Sequence, residues 1–96
     1  MLADSEVELR AARWLTWEGA WKADRGEDFR TEASIAKLYS SEVLGCVIDR
    51  AVQIHGGYGV SKEFPIERWY REARIRRIGE GPSEVHRMVI ARSLLR

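Results

Sequence analysis

Hydrophobic and polar positions alternate with an α-helical period along most of this chain. From about Leu2 to Lys22 the larger apolar side chains form one stripe at helical spacings of seven, three and four: Val7, Trp14, Trp17 and Trp21. Ser5 and Glu8 have the spacing of a capping box, although Leu2 precedes them. The pattern predicts a first helix that ends before the polar turn at residues 25–28.

A second and longer helix is predicted from about Thr31 or Glu32 to His55. Apolar residues occupy more than one of its faces, among them Ile35, Leu38, Val43, Leu44, Val47, Ile48 and Val52. A helix that is apolar on several faces needs neighbours on more than one side. Gly56 and Gly57 then predict its end, because glycine accepts the left-handed backbone that commonly terminates a helix.

Two prolines predict the starts of two further helices. Pro65 fits the beginning of a short helix over about residues 66–73, because proline needs no backbone donor in a first turn. Pro82 fits the beginning of a fourth, with Glu84 in its first turn favoured by the helix dipole. We therefore expect an all-α protein, an up-and-down bundle of about three to four helices, with residues 1–96 in one domain.

Composition excludes several classes of protein. The single cysteine, Cys46, excludes an internal disulfide, and no apolar stretch approaches the roughly 20 residues of a membrane span. Residues 62–96 hold 9 basic and 5 acidic side chains, which suits nucleic acid, a phosphorylated cofactor or a solvated face. The arginines there alternate with Glu67 and Glu72, so local ion pairing is expected and a nucleic-acid partner is not.

Glu80 is the first candidate for chemistry. It lies between Gly79 and Gly81, directly before the fourth predicted helix. Glycines on both sides allow unusual backbone shapes and leave space for a ligand beside the carboxylate. The alternative is an ordinary acidic residue near a helix N-terminus, and position alone favours that alternative.

The second candidate is the run Gln53-Ile54-His55-Gly56-Gly57-Tyr58-Gly59. It places an amide, an imidazole and loop N–H groups at one helix end, where such groups can meet phosphate. It completes neither a dinucleotide-binding fingerprint nor a P-loop, so a helix end with a turn is the alternative. No Cys or carboxylate accompanies His55 or His86 at zinc-site spacing, and we expect no metal site.

Together and in this order, the two glycine-containing runs resemble the C-terminal signature of the flavin-dependent acyl-CoA dehydrogenases. The second run is residues 78–84, and residues 63–68 join the two. The resemblance extends to residues 33–37 and Glu42 on the long helix, and to residues 87–92 near the end.

This resemblance implies specific roles. Glu80 aligns with the base that removes the pro-R α-proton of an acyl-CoA thioester, while N5 of FAD takes the β-hydride to give a trans-2-enoyl-CoA. Gly81 aligns with a substrate contact. The residues that align with FAD contacts are Gln53, Ile54, His55, Gly56, Gly57, Pro82, Ser83 and Glu84.

The resemblance also implies partners and a location. Such FAD sites are shared between subunits, so a homo-oligomer, either a dimer or a tetramer, is expected. Electron-transfer flavoprotein is the expected electron acceptor. The expected location is cytoplasmic in a bacterium and the mitochondrial matrix in a eukaryote.

Two departures from the family pattern and the short length qualify these expectations. Gly79 and Pro82 stand where many members have Tyr and Thr. Full members also carry an N-terminal helical domain, a middle β-domain and one further C-terminal helix. The chain therefore resembles a partial C-terminal domain, whether a fragment, a truncated product or a subunit of a split enzyme, and alone we expect it to be inactive. The alternatives are an acyl-CoA oxidase-type relative and a non-catalytic helical oligomerisation or binding module.

Overall fold

The computed structural model describes residues 1–96 and contains four α-helices and no β-strand. Helix α1 spans Leu2–Asp24, α2 spans Arg30–His55, α3 spans Ile66–Ile75 and α4 spans Ser83–Leu94, and a 3₁₀-helix, Gly56–Val60, follows α2 directly. The all-α prediction and its four helices are thus confirmed. None of the helices carries an apolar stretch long enough to cross a membrane.

Helix α2 is the centre of the fold, because α1, α3 and α4 all pack against it. Two ion pairs hold α1 antiparallel to α2: Arg50 donates to Glu8 at 2.7 Å, and Lys22 donates to Glu32. The hydrogen bond from Arg50 lowers the pKa of Glu8 below its ordinary value of 4.5. Between the pairs the contact uses small residues, since Gly19 is buried against α2.

The start of α1 differs from the capping box expected at Ser5 and Glu8. The helix already begins at Leu2, so Ser5 lies inside its first turns and is buried. The Ser5 hydroxyl accepts a hydrogen bond from Arg50 at 3.4 Å instead of capping the helix, and Arg50 also binds Glu8. Both polar residues therefore bind α2. Their spacing in the sequence could not show this, because Arg50 lies more than 40 positions away.

The apolar stripe of α1 is exposed. Trp14, Trp17 and Trp21 are 63%, 51% and 55% accessible, and the rings of Trp14 and Trp17 meet edge to face at 5.0 Å. These three tryptophans therefore lie outside the core of this chain and form an aromatic surface beside Tyr39.

The core is small and lies where α3 crosses the C-terminal half of α2. Ile48, Ile66 and Ala73 are buried together, with Ala51 and Val52 packed against them. Helix α4 then continues in the same direction along the N-terminal half of α2, as the contacts Ser83–Glu42 and His86–Ser34 show. The loop of residues 76–82 joins α3 to α4, so it lies beside the middle of α2.

The resulting shape is elongated. Its principal extents are 49 × 23 × 21 Å and its radius of gyration is 15.5 Å. A compact domain of this length has a radius of gyration of about 12.5 Å. Much of the apolar surface of the helices is consequently left without a partner inside the chain.

Candidate active site

Glu80 has an unusual backbone conformation. It is the only residue other than glycine with a positive φ, at 55°, and Gly81 follows at 89°. A side chain with a Cβ occupies this left-handed region at a cost, and such residues cluster at functional sites. The Glu80 side chain is exposed and forms no hydrogen bond or ion pair within the chain. The structure therefore holds a carboxylate in a strained position without using it to stabilise the fold.

Lys37 on α2 fastens the loop that carries Glu80. Its Nζ donates to the carbonyl of Arg76 at 2.7 Å and to the carbonyl of Gly81 at 3.3 Å. These are charge-assisted hydrogen bonds to the two ends of the loop, and such bonds are stronger than neutral ones. The central helix α2 thus fixes the position of the loop that carries Glu80.

His86 on α4 contacts the same loop. Its Nε2 lies 3.3 Å from the carbonyl oxygen of Glu80, and its Nδ1 lies 3.2 Å from the hydroxyl of Ser34 on α2. A carbonyl oxygen only accepts, so Nε2 is the nitrogen that carries the proton in this contact.

Around the start of α4, the residues predicted to contact FAD differ in exposure. Ser83 is buried: its hydroxyl donates to Glu42 at 2.8 Å and its N–H donates to the carbonyl of Arg77 at 3.2 Å. Pro82 precedes the helix and is half-buried, and Glu84 is exposed in the first turn. Ser83 therefore fixes the helix start, while Pro82 and Glu84 remain accessible.

The glycine-rich run of residues 53–59 lies at the C-terminal end of α2. Its exposed residues are Gln53, Ile54, His55, Gly56 and Gly57. His55 Nδ1 donates to the carbonyl of Ala51 at 2.8 Å, which leaves Nε2 as an acceptor in the neutral ring. A Cβ placed at Gly56 or Gly57 would meet nothing within 4 Å, so the backbone there is open to a ligand.

Gly59 has a different role in that run. A Cβ at this position would lie 2.6 Å from the carbonyl oxygen of Val52, closer than real Cβ atoms come. Only glycine lets the 3₁₀-helix fold back onto α2, and this contact fixes the loop containing the two open glycines.

The structure does not bring the two predicted segments together. The Glu80 loop contacts α2 at Lys37 and the start of α4 contacts it at Glu42, which lie about 24 Å and about 17 Å from Gln53 at the helical rise per residue. Glu80 and the run at residues 53–57 therefore lie at separate places on one elongated chain.

Comparison with known proteins identifies the family. The profile of the acyl-CoA dehydrogenase C-terminal domain matches residues 1–95. The chain belongs to the acyl-CoA dehydrogenase family. Proteins of this family are FAD-dependent oxidoreductases.

Individual acyl-CoA dehydrogenase relatives are similar over almost the whole chain. A probable acyl-CoA dehydrogenase of Bacillus subtilis is 45% identical over 95 residues, 99% of this chain and 25% of the relative. The CarC subunit of the caffeyl-CoA reductase-Etf complex of Acetobacterium woodii is 45% identical over 96 residues, 100% of this chain and 25% of the relative. The butyryl-CoA dehydrogenase structure from Megasphaera elsdenii superposes with a TM-score of 0.96 at 45% identity, covering 99% of this chain and 25% of that one.

The chain thus spans about a quarter of the length of these acyl-CoA dehydrogenase relatives. What it shares with them is the helical C-terminal domain, which carries both glycine-containing runs.

The contacts that support Glu80 in this acyl-CoA dehydrogenase domain were not found by sequence reasoning. His86 and Ser34 are 52 positions apart, and Lys37 and Gly81 are 44 positions apart, so no local pattern links them. By contrast, the local ion pairing expected on α3 is present, with Arg71 donating to Glu67 at 3.0 Å. No group of three His, Cys, Asp or Glu side chains is placed to bind a metal.

Proposed function

We propose that this chain is the C-terminal helical domain of an FAD-dependent enzyme that α,β-dehydrogenates acyl-CoA thioesters, with Glu80 as the base. The observation that carries the proposal is the conformation of Glu80 within a member of this family. Its carboxylate is exposed, has no partner within the chain and stands on a left-handed backbone. A residue that stores strain without stabilising the fold is typical of a functional site.

The proposed chemistry assigns a proton to Glu80. The α-proton beside a thioester is weakly acidic, so its removal needs a carboxylate within hydrogen-bond reach. Glu80 takes this proton, and the electron pair of the Cα–H bond forms the new double bond. Bound FAD supplies the acceptor for the hydride that leaves Cβ. Gly81 is the proposed substrate contact through its backbone, because the His86 ring fills the space where a side chain would stand.

The residues at the end of α2 fit a role in holding FAD. Gln53 offers an amide, His55 offers Nε2 as an acceptor, and the backbone of Gly56 and Gly57 is open. Because this end lies about 17–24 Å along α2 from the contacts with the start of α4 and the Glu80 loop, the two segments are suited to different flavins. This separation supports a homo-oligomer, a dimer or a tetramer, in which each chain contributes to a neighbour's site.

The name of one relative supports the proposed electron acceptor and also favours a second candidate reaction, which runs in the reverse direction. The Acetobacterium woodii relative is a subunit of a reductase-Etf complex, which supports electron-transfer flavoprotein as the partner. Its name also favours a second candidate, reduction of a 2-enoyl-CoA. There the same carboxylate returns a proton to Cα, since the two directions share one transition state.

The test is Glu80→Gln in the protein expressed from its complete reading frame. A general base contributes about 10²- to 10⁴-fold to a rate, so kcat with acyl-CoA and a dye acceptor should fall by that factor. Flavin content should not change, because glutamine keeps the size of the side chain. Glu72→Gln on the exposed face of α3 is the control and should leave kcat unaltered. Retained activity in Glu80→Gln would instead support a non-catalytic helical module.

A further inference from the structure

We propose that His86 is a positioning residue that holds the peptide group of Glu80 and so aims its carboxylate at the substrate. This inference rests on the proposed function, because it assigns His86 a role only if Glu80 is the base. No function was assigned to His86 from the sequence.

The imidazole ring of His86 is hydrogen-bonded on both sides. Nε2–H donates to the carbonyl of Glu80 at 3.3 Å, which leaves Nδ1 of the neutral ring to accept from the Ser34 hydroxyl at 3.2 Å. Ser34 is only 7% exposed and lies on the central helix. Both ring nitrogens therefore have partners, and the ring connects α2 to the carbonyl next to the strained residue.

The ring also fits closely against Gly81. A Cβ at Gly81 would lie 2.8 Å from Nε2 of His86 and 3.2 Å from its neighbouring ring carbon. The imidazole therefore lies directly against the backbone that follows Glu80. Gly81 is also at φ 89°, so glycine is required there both by its conformation and by this contact.

No other group of the chain binds the carbonyl of Glu80. The carboxylate has no partner, and Lys37 binds the neighbouring carbonyls of Arg76 and Gly81. His86 is thus the one group that binds the carbonyl of Glu80, and the direction of the Glu80 side chain depends on how this peptide group is held. A displacement of about 1 Å in a reacting group can cost about 100-fold in rate.

A matched pair of substitutions separates the hydrogen bond from the bulk of the side chain. His86→Gln and His86→Met introduce unbranched side chains of similar length, but only Gln carries an N–H donor. The experiment uses the protein expressed from its complete reading frame, with measurements of kcat, KM and bound flavin. We expect His86→Met to lower kcat by about 10- to 100-fold with little change in KM or flavin content. We expect His86→Gln to restore most of the loss.

One control and one substitute variant accompany the pair. Ser93→Ala on α4 removes a hydroxyl that bonds only within its own helix, to the carbonyl of Ile90, and should leave kcat unchanged. Should His86→Met fail to retain flavin, Ser34→Ala takes its place, because it removes the other anchor of the ring. That variant should lower kcat several-fold, and an unchanged kcat overturns the inference.

The outcomes also separate this inference from the proposed function. If Glu80→Gln is inactive and both His86 variants keep the kcat of the parent, His86 does not position the base, although Glu80 still acts. If Met and Gln lower kcat equally, the donor is irrelevant and the inference is wrong. If Glu80→Gln is active, the proposed function itself fails, and the role of His86 fails with it.

Discussion

Replacing Glu80 by glycine should make the protein more stable while it removes the proposed catalytic group. Glu80 stands at φ 55°, and its side chain has no hydrogen bond or ion pair to lose. The backbone carbonyl that His86 binds remains in the variant. Glycine adopts the left-handed region without the clash that a Cβ introduces.

The magnitude follows from two opposing effects. A Cβ-bearing residue in the left-handed conformation costs roughly 1–2 kcal/mol relative to glycine. Glycine costs about 0.4–1 kcal/mol in return, because its unfolded chain has more conformations to lose. The net expectation is a gain of about 0.5–1 kcal/mol in the free energy of unfolding.

Urea unfolding of the 96-residue chain, followed by far-ultraviolet circular dichroism, measures this gain. With a slope of about 1–2 kcal/mol per molar urea, the midpoint should rise by about 0.5 M. The control is Glu72→Gly, the same chemical change inside α3, which should lower the midpoint because glycine costs about 0.5–1 kcal/mol within a helix. In the complete protein the same comparison uses the midpoint of thermal unfolding.

The unfolding midpoints of Glu80→Gly and Glu72→Gly decide whether Glu80 is strained. If Glu80→Gly lowers the midpoint as much as Glu72→Gly does, the Glu80 side chain supports the fold and stores no strain. A rise in stability together with full enzyme activity would support the strain but contradict the role of Glu80 as base.

Further predictions concern other parts of the chain. Gly59→Ala should destabilise by about 1–3 kcal/mol in urea unfolding, because its Cβ would lie 2.6 Å from a carbonyl of α2, whereas Gly57→Ala should stay within about 0.5 kcal/mol. Arg50 lowers the pKa of Glu8, so the stability from this pair is present above the ordinary pKa of 4.5 and is lost as pH falls through the lowered value. Arg50→Met should therefore reduce the acid sensitivity of the unfolding midpoint, and an unchanged pH profile would contradict the pair. A Cβ at Gly79 meets only one carbonyl at 3.6 Å, so Gly79→Tyr should fold and should shift the preference of the complete enzyme towards shorter acyl chains; an unchanged preference counts against a pocket at this position. The 96-residue chain alone, given FAD and a dye acceptor, should not turn over acyl-CoA, and measurable turnover refutes that expectation.

The helices were predictable because their signals are local. Helical periodicity and the glycines and prolines between the helices placed all four, and the breadth of apolar positions on α2 predicted neighbours on several sides. The packing of α1 was not predictable, because its tryptophans are largely exposed and its contacts with α2 use Ser5, Gly19 and ion pairs. The hydrophobic pattern of one helix does not show which other helix packs against each of its faces.

The candidate site shows the same division. The residues flanking Glu80 marked it from the sequence, and the left-handed backbone agrees with the freedom that those glycines were expected to provide. The side chains that hold the loop could not be predicted from the sequence. Lys37 and His86 contact the loop, and Ser34 contacts His86, only after α2 and α4 have packed. Glycines of one run also differ in purpose: Gly59 is needed for packing, while Gly57 is open.

The most direct test of the account is the rate at which flavin absorbance bleaches after anaerobic mixing of the complete protein with acyl-CoA. This single turnover reports removal of hydrogen from the substrate before any electron acceptor takes part. We predict that Glu80→Gln binds FAD normally but bleaches about 10²- to 10⁴-fold more slowly than the parent protein. Bleaching at the parent rate in this variant would contradict the claim that Glu80 removes the α-proton.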